Sequence, residues 1–438
     1  MYKHILLFFL ILIVCPFSAA SSLDVRATQR AKVPLMIGVL NTTHDQLQQV
    51  AQRLRDDLMF SGQFEVTVQP FEKISTKKEM QHLFDQGYPL AIFINQAKHD
   101  HAIEWRIYDT ARAAMVKGKK YTKHGTDTNG WAHNIADAMW RELTGQSGFF
   151  STKIAYCKQI KRDNKRSIKH ICMADYDGQH EQVLVDTSTV NVVPRWNHDL
   201  RNPLVFYSEY TNANVRLMMV NMKKQRRIAS NFDGINMLTS FSDDGKKVVY
   251  CVSRGDGSCQ LYYHEKGIFK RLQYTDPVTR KSLSQGNNVS PTLTADGKTV
   301  FFCSDFLTNR PQVFAYDLAT GQVERITDGG YCASPSYCAK KNCIAYIKRI
   351  DGVMQVCMYD IKTKKHTQLT QGPGNKDECS WSPCGNYILA AVDQGGNSRI
   401  AIYNLLTSQW RYVTPNLAQC DYPAWSPVYT TYPALVMA

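Results

Sequence analysis

The chain has 438 residues, of which 52 are Lys or Arg and 38 are Asp or Glu, giving a formal net charge of +14. With 44% apolar residues it can bury cores, and it is too long for a single one, so at least two folding units are expected. Beyond the extreme N-terminus no apolar run reaches the ~20 residues that a helix needs to cross a bilayer, which excludes a helical integral membrane protein.

The first segment reads as an export signal. Met1-Tyr-Lys-His4 is basic, Ile5–Val14 is unbroken apolar sequence too short to span, and Cys15-Pro-Phe-Ser-Ala-Ala20 offers small residues for cleavage. A lipoprotein signal acylated at Cys15 is the competing reading. It is disfavoured by bulky Val14 before the cysteine and Pro16 after it. Residues 1–20 are therefore assigned to the signal and the mature chain to an exported, soluble protein.

Residues 21–148 alternate in type. Pro34–Leu40 predicts a strand. Thr43 and Gln46 fit a capping box before a helix with Leu47, Val50, Ala51, Leu54 and Leu58 on one face. Phe64–Val68 predicts a strand, Lys77–Phe84 a short helix and Leu90–Ile94 another strand. Ala102–Tyr108 and Ala114–Tyr121 suggest a hairpin, and a helix from about Asn129 to Leu143 buries Trp131, Ile135, Ala138, Met139 and Leu143. This is an α/β layer.

From residue 149 to about 430 the grammar changes to repeats of short strands. Anchor motifs begin at Trp196, Phe241, Leu293, Tyr337, Trp381 and Trp425, at intervals of 45, 52, 44, 44 and 44 residues. After each comes a tight turn such as Ser-Asp-Asp-Gly245, Thr-Ala-Asp-Gly297 or Ser-Pro-Cys-Gly385, and then three more apolar strands. Four strands per repeat make a propeller blade. The 52-residue interval has extra polar sequence near Val278–Gly286. The last anchor, Trp425, has almost nothing after it, while Lys153–Cys157, His170–Asp175 and Gln182–Val185 lack an inner strand. The expected fold is an α/β N-terminal domain followed by an all-β six-bladed propeller closed by the C-terminal strand. An open array would leave two bare edges.

No catalytic pattern stands out. Gly-x-Ser-x-Gly and Gly-rich phosphate loops are absent from the sequence. His99-Asp-His101 lies in a polar turn without a third ligand nearby, so no metal or cofactor is expected. Asp377, Glu378 and Asp421 precede the inner strands and could act as acid and base at a channel mouth. The plain reading is a wet, polar funnel. Twelve of the 13 cysteines follow the signal. Cys157, Cys251 and Cys303 share one core slot of the second strand, and Cys172 and Cys357 lie in third strands, where a small apolar thiol needs no bond. Cys332, Cys338, Cys343, Cys379 and Cys384 are the better disulfide candidates, with no pairing assigned.

The positive charge does not point to nucleic acid. Lys158, Lys161, Arg162, Lys165, Arg166 and Lys169 are expected in one hairpin loop, and Lys223–Arg227 and Lys362–Lys365 in outer turns, all without interleaved aromatics. An anionic envelope polymer, lipid surface or acidic partner face suits them better.

The stretch Ala132-His-Asn-Ile-Ala-Asp-Ala-Met-Trp-Arg-Glu-Leu-Thr-Gly145, continuing through Tyr156, resembles the domain junction of the TolB family, as does Asp57-Leu-Met-Phe-Ser-Gly-Gln-Phe64. The Trp-Ser-Pro-(Asp/Cys)-Gly anchors resemble that family's repeats. Tyr337-Cys-Ala-Lys-Lys341, Trp196-Asn-His-Asp199 and the cysteine content depart from it. The resemblance implies a soluble, non-enzymatic periplasmic component of the Tol-Pal envelope system. Its implied partners are a peptidoglycan-associated outer-membrane lipoprotein and an inner-membrane-anchored Tol protein. Leu23, Asp24, Val25 and Arg26 match the start of the family's mature N-terminal switch segment, which implies that these four residues meet the inner-membrane partner, although Ala-Thr-Gln-Arg30 diverges.

In a propeller the loops into the inner strands gather at one mouth. Asn236, Asn288, Val289, Ser290, Ser334, Asp377, Glu378, Asp421 and Tyr422 occupy those positions and vary between repeats, as a specific site on a rigid scaffold requires. A monomeric adaptor that supports envelope integrity and constriction at division is the leading reading. An exported enzyme acting on envelope glycans or peptides through the channel carboxylates is the alternative, and a ligand sensor without Tol partners is the third.

Overall fold

The computed structural model describes residues 32–429 except 41–44, 74–76, 97–101, 123–127, 163–165 and 254–256. The export signal, Thr43, His99 and His101 lie outside the described residues. So do Leu23, Asp24, Val25 and Arg26, the four residues expected to meet the inner-membrane partner.

The N-terminal region is a five-stranded sheet in the order β2-β1-β3-β4-β5. Its strands are β1 (Val33–Leu40), β2 (Phe64–Phe71), β3 (Leu90–Gln96), β4 (Ala102–Asp109) and β5 (Ala114–Thr122). β1 pairs parallel with β2 and β3, which requires the crossover helices α1 (Asp45–Phe60) and α2 (Lys77–Asp85). The expected face of α1 is buried in full, and Gln46 donates to Thr128 Oγ1 at 3.0 Å. Helix α3 (Thr128–Thr144) buries Trp131, Ile135 and Met139 as expected, and also His133, Ala136 and Trp140; Ala138 and Leu143 are only partly buried.

Six four-stranded blades follow. The first holds β6 (Lys153–Arg162), β7 (Arg166–Asp175) and β8 (Gln182–Val185), and the second β9 (Val190–Trp196), β10 (Leu204–Tyr210), β11 (Val215–Asn221) and β12 (Arg226–Ser230). The third comprises β13 (Ile235–Phe241), β14 (Lys247–Ser253), β15 (Cys259–Glu265) and β16 (Ile268–Arg271). The fourth comprises β17 (Asn288–Leu293), β18 (Thr299–Ser304), β19 (Gln312–Asp317) and β20 (Val323–Arg325). The fifth contains β21 (Cys332–Cys338), β22 (Cys343–Ile350), β23 (Val353–Asp360) and β24 (Lys365–Gln368). The sixth contains β25 (Asn375–Trp381), β26 (Tyr387–Gln394), β27 (Asn397–Asn404) and β28 (Gln409–Tyr412). The final strand, β29 (Cys420–Trp425), pairs antiparallel with β6 and supplies the inner strand of the first blade. The extra sequence before the fourth blade forms an excursion in which Thr275 pairs with Ser282 ahead of a 3-10 turn at Leu283–Gln285. One expectation is corrected: Lys158, Lys161, Arg162, Arg166 and Lys169 sit on the paired strands β6 and β7, which extend the hairpin far beyond the loop read from the sequence, and Lys165 lies outside the described residues.

Hydrogen bonds stitch one blade to the next around the channel. Ser240 Oγ accepts from Leu293 N at 2.9 Å, Thr292 Oγ1 from Tyr337 N at 3.1 Å, and Ser380 Oγ from Trp425 N at 2.9 Å. The indole N–H of Trp381 donates to Ser336 O at 3.0 Å, and that of Trp196 to Ala424 O at 3.1 Å. The face where the anchors end meets the N-terminal region. One apolar core runs from Leu54 and Leu58 of α1 through Trp140, Phe149, Phe150 and Tyr176 to Tyr387 and Trp425. Gly148 allows the approach, since a Cβ there would stand 2.2 Å from Asp137 Oδ1.

A buried polar network lies beside this core. His133 Nδ1 is 2.8 Å from Asp57 Oδ2, and Tyr176 donates to Asp57 Oδ1 at 2.8 Å. Arg53 pairs with Asp177 at 2.9 Å, and Asp175 takes Lys153 and His180. The His133 Nε2 atom faces both Arg53 Nη2 at 3.0 Å and Asp175 Oδ2 at 3.5 Å. The guanidinium favours a neutral ring, but two carboxylates outweigh it. Burial opposes the charge, yet Asp57 and Asp175 raise the His133 pKa to about 9. A histidine raised from 6.5 to about 9 contributes stability that is complete below pH 6.5 and is lost as pH climbs through 9. His133→Gln should therefore lower stability by about 3 kcal/mol at pH 6, measured by thermal or urea unfolding. The gap to wild type should narrow between pH 6.5 and 9; a constant gap would mean an uncharged ring.

Candidate functional site

The six inner strands present equivalent positions to the channel. The first structural position holds Asn191, Asn236, Asn288, Cys332, Lys376 and Cys420, paired with the second strand of each blade. Asn236 and Asn288 are only 1% and 0% exposed, so their side chains do not offer themselves at the mouth as expected. Asn236 Nδ2 donates to Val215 O at 3.0 Å and Phe232 O at 2.6 Å. Asn288 Nδ2 donates to Leu283 O at 2.8 Å and Gly286 O at 3.2 Å, and its Oδ1 accepts from Ser304 Oγ at 2.7 Å. Lys376, 2% exposed, does the same work by donating to Gly372 O and Pro373 O, both at 3.0 Å. These residues satisfy the carbonyls of the loops between blades, which burial would otherwise leave unpaired.

Two residues further on, every inner strand is bulged against its neighbour. Val193, Ser290, Ser334, Glu378 and Tyr422 stand there with φ of 57, 51, 50, 49 and 52°. A side chain in this left-handed region costs ~1 kcal/mol or more, so recurrence in five blades marks a fixed device of the fold. Such bulges re-aim a side chain. Four of the five precede a proline, at 194, 291, 335 and 423. Proline within a strand belongs at a bulge, so this spacing is the mark that the device leaves in the sequence.

The expected residues thus divide. Ser290, Ser334, Glu378 and Tyr422 sit in the bulge, and Val289, Asp377 and Asp421 sit one residue before it. All lie within the inner strands β17, β21, β25 and β29, instead of ahead of them. Glu378 is bridged by Arg195 of the second blade at 3.2 Å and accepts from Ser334 Oγ of the fifth at 3.3 Å. Lys169 pairs with Asp421, and its ammonium lies 5.5 Å from the Tyr422 ring centre. Arg195 carried no mark in the sequence, and Lys169 was read only as part of a basic loop; the fold brings both here. Asp377 keeps contact with water, but the desolvating funnel, then Glu378, then Asp421 push its pKa up to about 6. Burial also raises Asp421, against the pull of Lys169.

Below this ring a cavity of about 630 Å³ follows the channel to the anchor motifs. Arg195, Ser290, Ser334 and Glu378 form its upper wall, and Asp137 and Arg141 of α3 its far side. Asp137 is held by Phe150 N at 2.7 Å and Ser151 N at 3.1 Å, with burial raising its pKa to about 6. Asp377, Asp421 and Tyr422 lie outside this wall, on the inlet side. Among the described residues, no group of three or more His, Cys, Asp or Glu side chains is placed to hold a metal ion. None of the twelve described cysteines is in a disulfide, and Cys157, Cys251 and Cys303 are buried in the slot read from the repeat. No helix among the described residues is long and apolar enough to cross a membrane.

The family model of the TolB beta propeller domain matches residues 140–429. The Tol-Pal system protein TolB of Gluconobacter oxydans is 28% identical over 246 residues, 55% of this chain and 53% of that protein. Its counterpart from Francisella tularensis subsp. tularensis is 24% identical over 403 residues, 80% of this chain and 91% of the other. The crystal structure of TolB from Acinetobacter baumannii superimposes with a TM-score of 0.76 at 21% identity, covering 91% of this chain and 98% of that one.

The division of labour along the inner strands is testable by unfolding. Asn288→Ala should cost roughly 2–3 kcal/mol, because several buried carbonyls and the Ser304 hydroxyl lose their partner. Ser290→Ala should stay within about 0.5 kcal/mol. Equal losses at both positions would contradict the assignment.

Proposed function

The chain belongs to the TolB β-propeller family, and from that membership we propose that it is a periplasmic Tol-Pal adaptor, without catalytic activity of its own, that grips a partner at the inlet of its propeller. Residues 1–20 direct export, 21–148 form the domain that faces the inner-membrane side, and 149–430 form the dock. The partner at the inlet is the peptidoglycan-associated outer-membrane lipoprotein. An inner-membrane-anchored Tol protein is the partner of Leu23, Asp24, Val25 and Arg26. Envelope integrity and constriction at division depend on that link. The observation that carries the reading is the contrast within the bulge ring. Its backbone repeats from blade to blade while its side chains do not, so one rigid frame presents Ser290, Ser334, Glu378 and Tyr422 as a single asymmetric surface.

The pairing of the carboxylates favours binding over catalysis. Glu378 is engaged by Arg195, and Asp421 by Lys169. A general acid and base working as a couple need two groups free to exchange protons, and Asp377 alone keeps that freedom. Should turnover of an envelope glycan or peptide be found and die with Asp377→Asn, the enzyme reading would replace this one.

Glu378→Lys and Asp421→Lys should each weaken capture of the purified lipoprotein by about tenfold or more, because each places a cation beside Arg195 or Lys169. Unchanged affinity in a titrated pull-down would remove the inlet as the dock. If inlet occupancy governs the segment from Leu23 to Arg26, the lipoprotein should alter the rate at which a protease trims it. Identical rates with and without lipoprotein would separate the two events.

A further inference from the structure

The residue just past each anchor is the keystone of its turn. In five blades it carries a side-chain oxygen that accepts the backbone N–H of the next strand. Asn197 Oδ1 takes Leu204 N at 2.9 Å, Ser242 Oγ takes Lys247 N at 3.1 Å, and Thr294 Oγ1 takes Thr299 N at 3.0 Å. Ser382 Oγ takes Tyr387 N at 3.1 Å, and Ser426 Oγ takes Lys153 N at 3.0 Å. The fifth blade departs at both positions together. Its keystone is Cys338, and the residue opposite it in the ladder is Cys343. No other blade has a thiol at either place. The turn between them, Ala339-Lys-Lys-Asn342, also lacks the glycine of the third, fourth and sixth blades.

The neighbouring thiols have other partners. Cys332 Sγ donates to Gly329 O at 3.8 Å, Cys379 Sγ donates to Ser334 O at 3.6 Å, and Cys384 Sγ lies 3.3 Å from Ser382 Oγ. Cys338 and Cys343 have each other, facing across the ladder at the foot of the turn. The partner thiol, the N–H groups of Lys341 and Lys340 and the Lys341 charge bring Cys338 down against burial, while Cys343 is raised. The thiol beside the Lys341 charge and the cavity is the one placed to attack, and its partner across the ladder is the one placed to resolve. Cys338 is buried from bulk solvent but lines the 630 Å³ channel cavity.

We propose that Cys338 and Cys343 are a dithiol–disulfide couple, oxidised by a low-molecular-weight disulfide through the channel cavity, and that the resulting bond replaces the side-chain cap this blade lacks. The Cys338 thiolate attacks the oxidant, forming a mixed disulfide and expelling one thiolate. Cys343 then loses its proton, attacks Cys338 Sγ and expels the second thiolate. Two electrons pass to the oxidant, which leaves as two thiols.

The test uses the full mature chain equilibrated with oxidised glutathione, then blocked with an alkylating agent and digested with trypsin. Cleavage after Lys340 and Lys341 separates the two cysteines, so a peptide that carries Cys343 should be held by a reducible bond to the peptide Ile326–Lys340, with fragmentation placing the bond on Cys338 and the alkyl group on Cys332. Cys343→Ser should instead retain one glutathione on Cys338. The double variant Cys338→Ser, Cys343→Thr restores the hydroxyl cap of the other blades and keeps the fold. Reductant should lower the wild-type Tm by roughly 2–5 °C and leave that variant unmoved. Recovery of both cysteines as separately alkylated thiols, linkage of either to a different cysteine, or an undiminished response to reductant in the double variant would overturn the proposal.

Discussion

Trp425 occupies the point on which the architecture turns. Its backbone N–H is taken by Ser380 of the sixth blade at 2.9 Å, and its indole N–H by Thr152, just ahead of the first, at 2.8 Å. Its ring lies 6.3 Å from Tyr387 and 6.4 Å from Phe149, within the core that continues into α1 and α3. One residue near the end of the chain therefore joins the last blade, the first blade and the N-terminal region. The contacts are non-local in the extreme, since Thr152 and Trp425 are 273 positions apart. They are also terminal, so their loss would expose β6 as an unpaired edge and open the shared core.

The meeting of the two regions is unusual for a domain interface, most of which are modest and polar. Here the aromatic side chains of Phe60, Phe149, Tyr176 and Tyr387 cluster with centroids 4.9–6.2 Å apart. Alongside runs the ladder of Arg53, Asp57, His133, Asp175 and Asp177. Apolar burial supplies adhesion, and the charges supply registry, because a displaced interface would strand buried carboxylates without partners. A signal from the inlet to the N-terminal region would have to travel through these elements, and Asp137 and Arg141 on the cavity wall put α3 directly at the channel's lower end.

Much of the fold was legible because it repeats. Regular anchors, Asp-Gly turns and a missing inner strand at one end are features of spacing, and spacing survives in a single sequence. The helical face of α1 was equally plain from its 3.6-residue period. What failed to show were relations between distant residues. Arg195 reaches Glu378 across 183 positions, and Lys169 reaches Asp421 across 252. Asn236 and Asn288 were misplaced for a different reason. A polar residue beside a presumed mouth looks like a ligand contact, but in a tightly turned loop the nearest unsatisfied groups are the loop's own carbonyls, and an amide is suited to answer them.

The inner strands separate two tasks that many sites mix. The first position, the bulge at the third and the keystone past the anchor serve geometry; the first holds asparagine in three blades, Lys376 in a fourth and a thiol, Cys332 or Cys420, in the other two. The side chain carried by the bulge is free to differ: valine, serine, glutamate or tyrosine on nearly the same φ. Strain of this kind persists only when the surroundings over-determine it, and the ladder on one side and the stitch to the next blade on the other provide that. The scaffold can then change the surface of its channel one blade at a time without loss of shape. The fifth blade extends the same logic from recognition to the frame itself: where the oxygen keystone is gone, two thiols stand across the turn it would have closed.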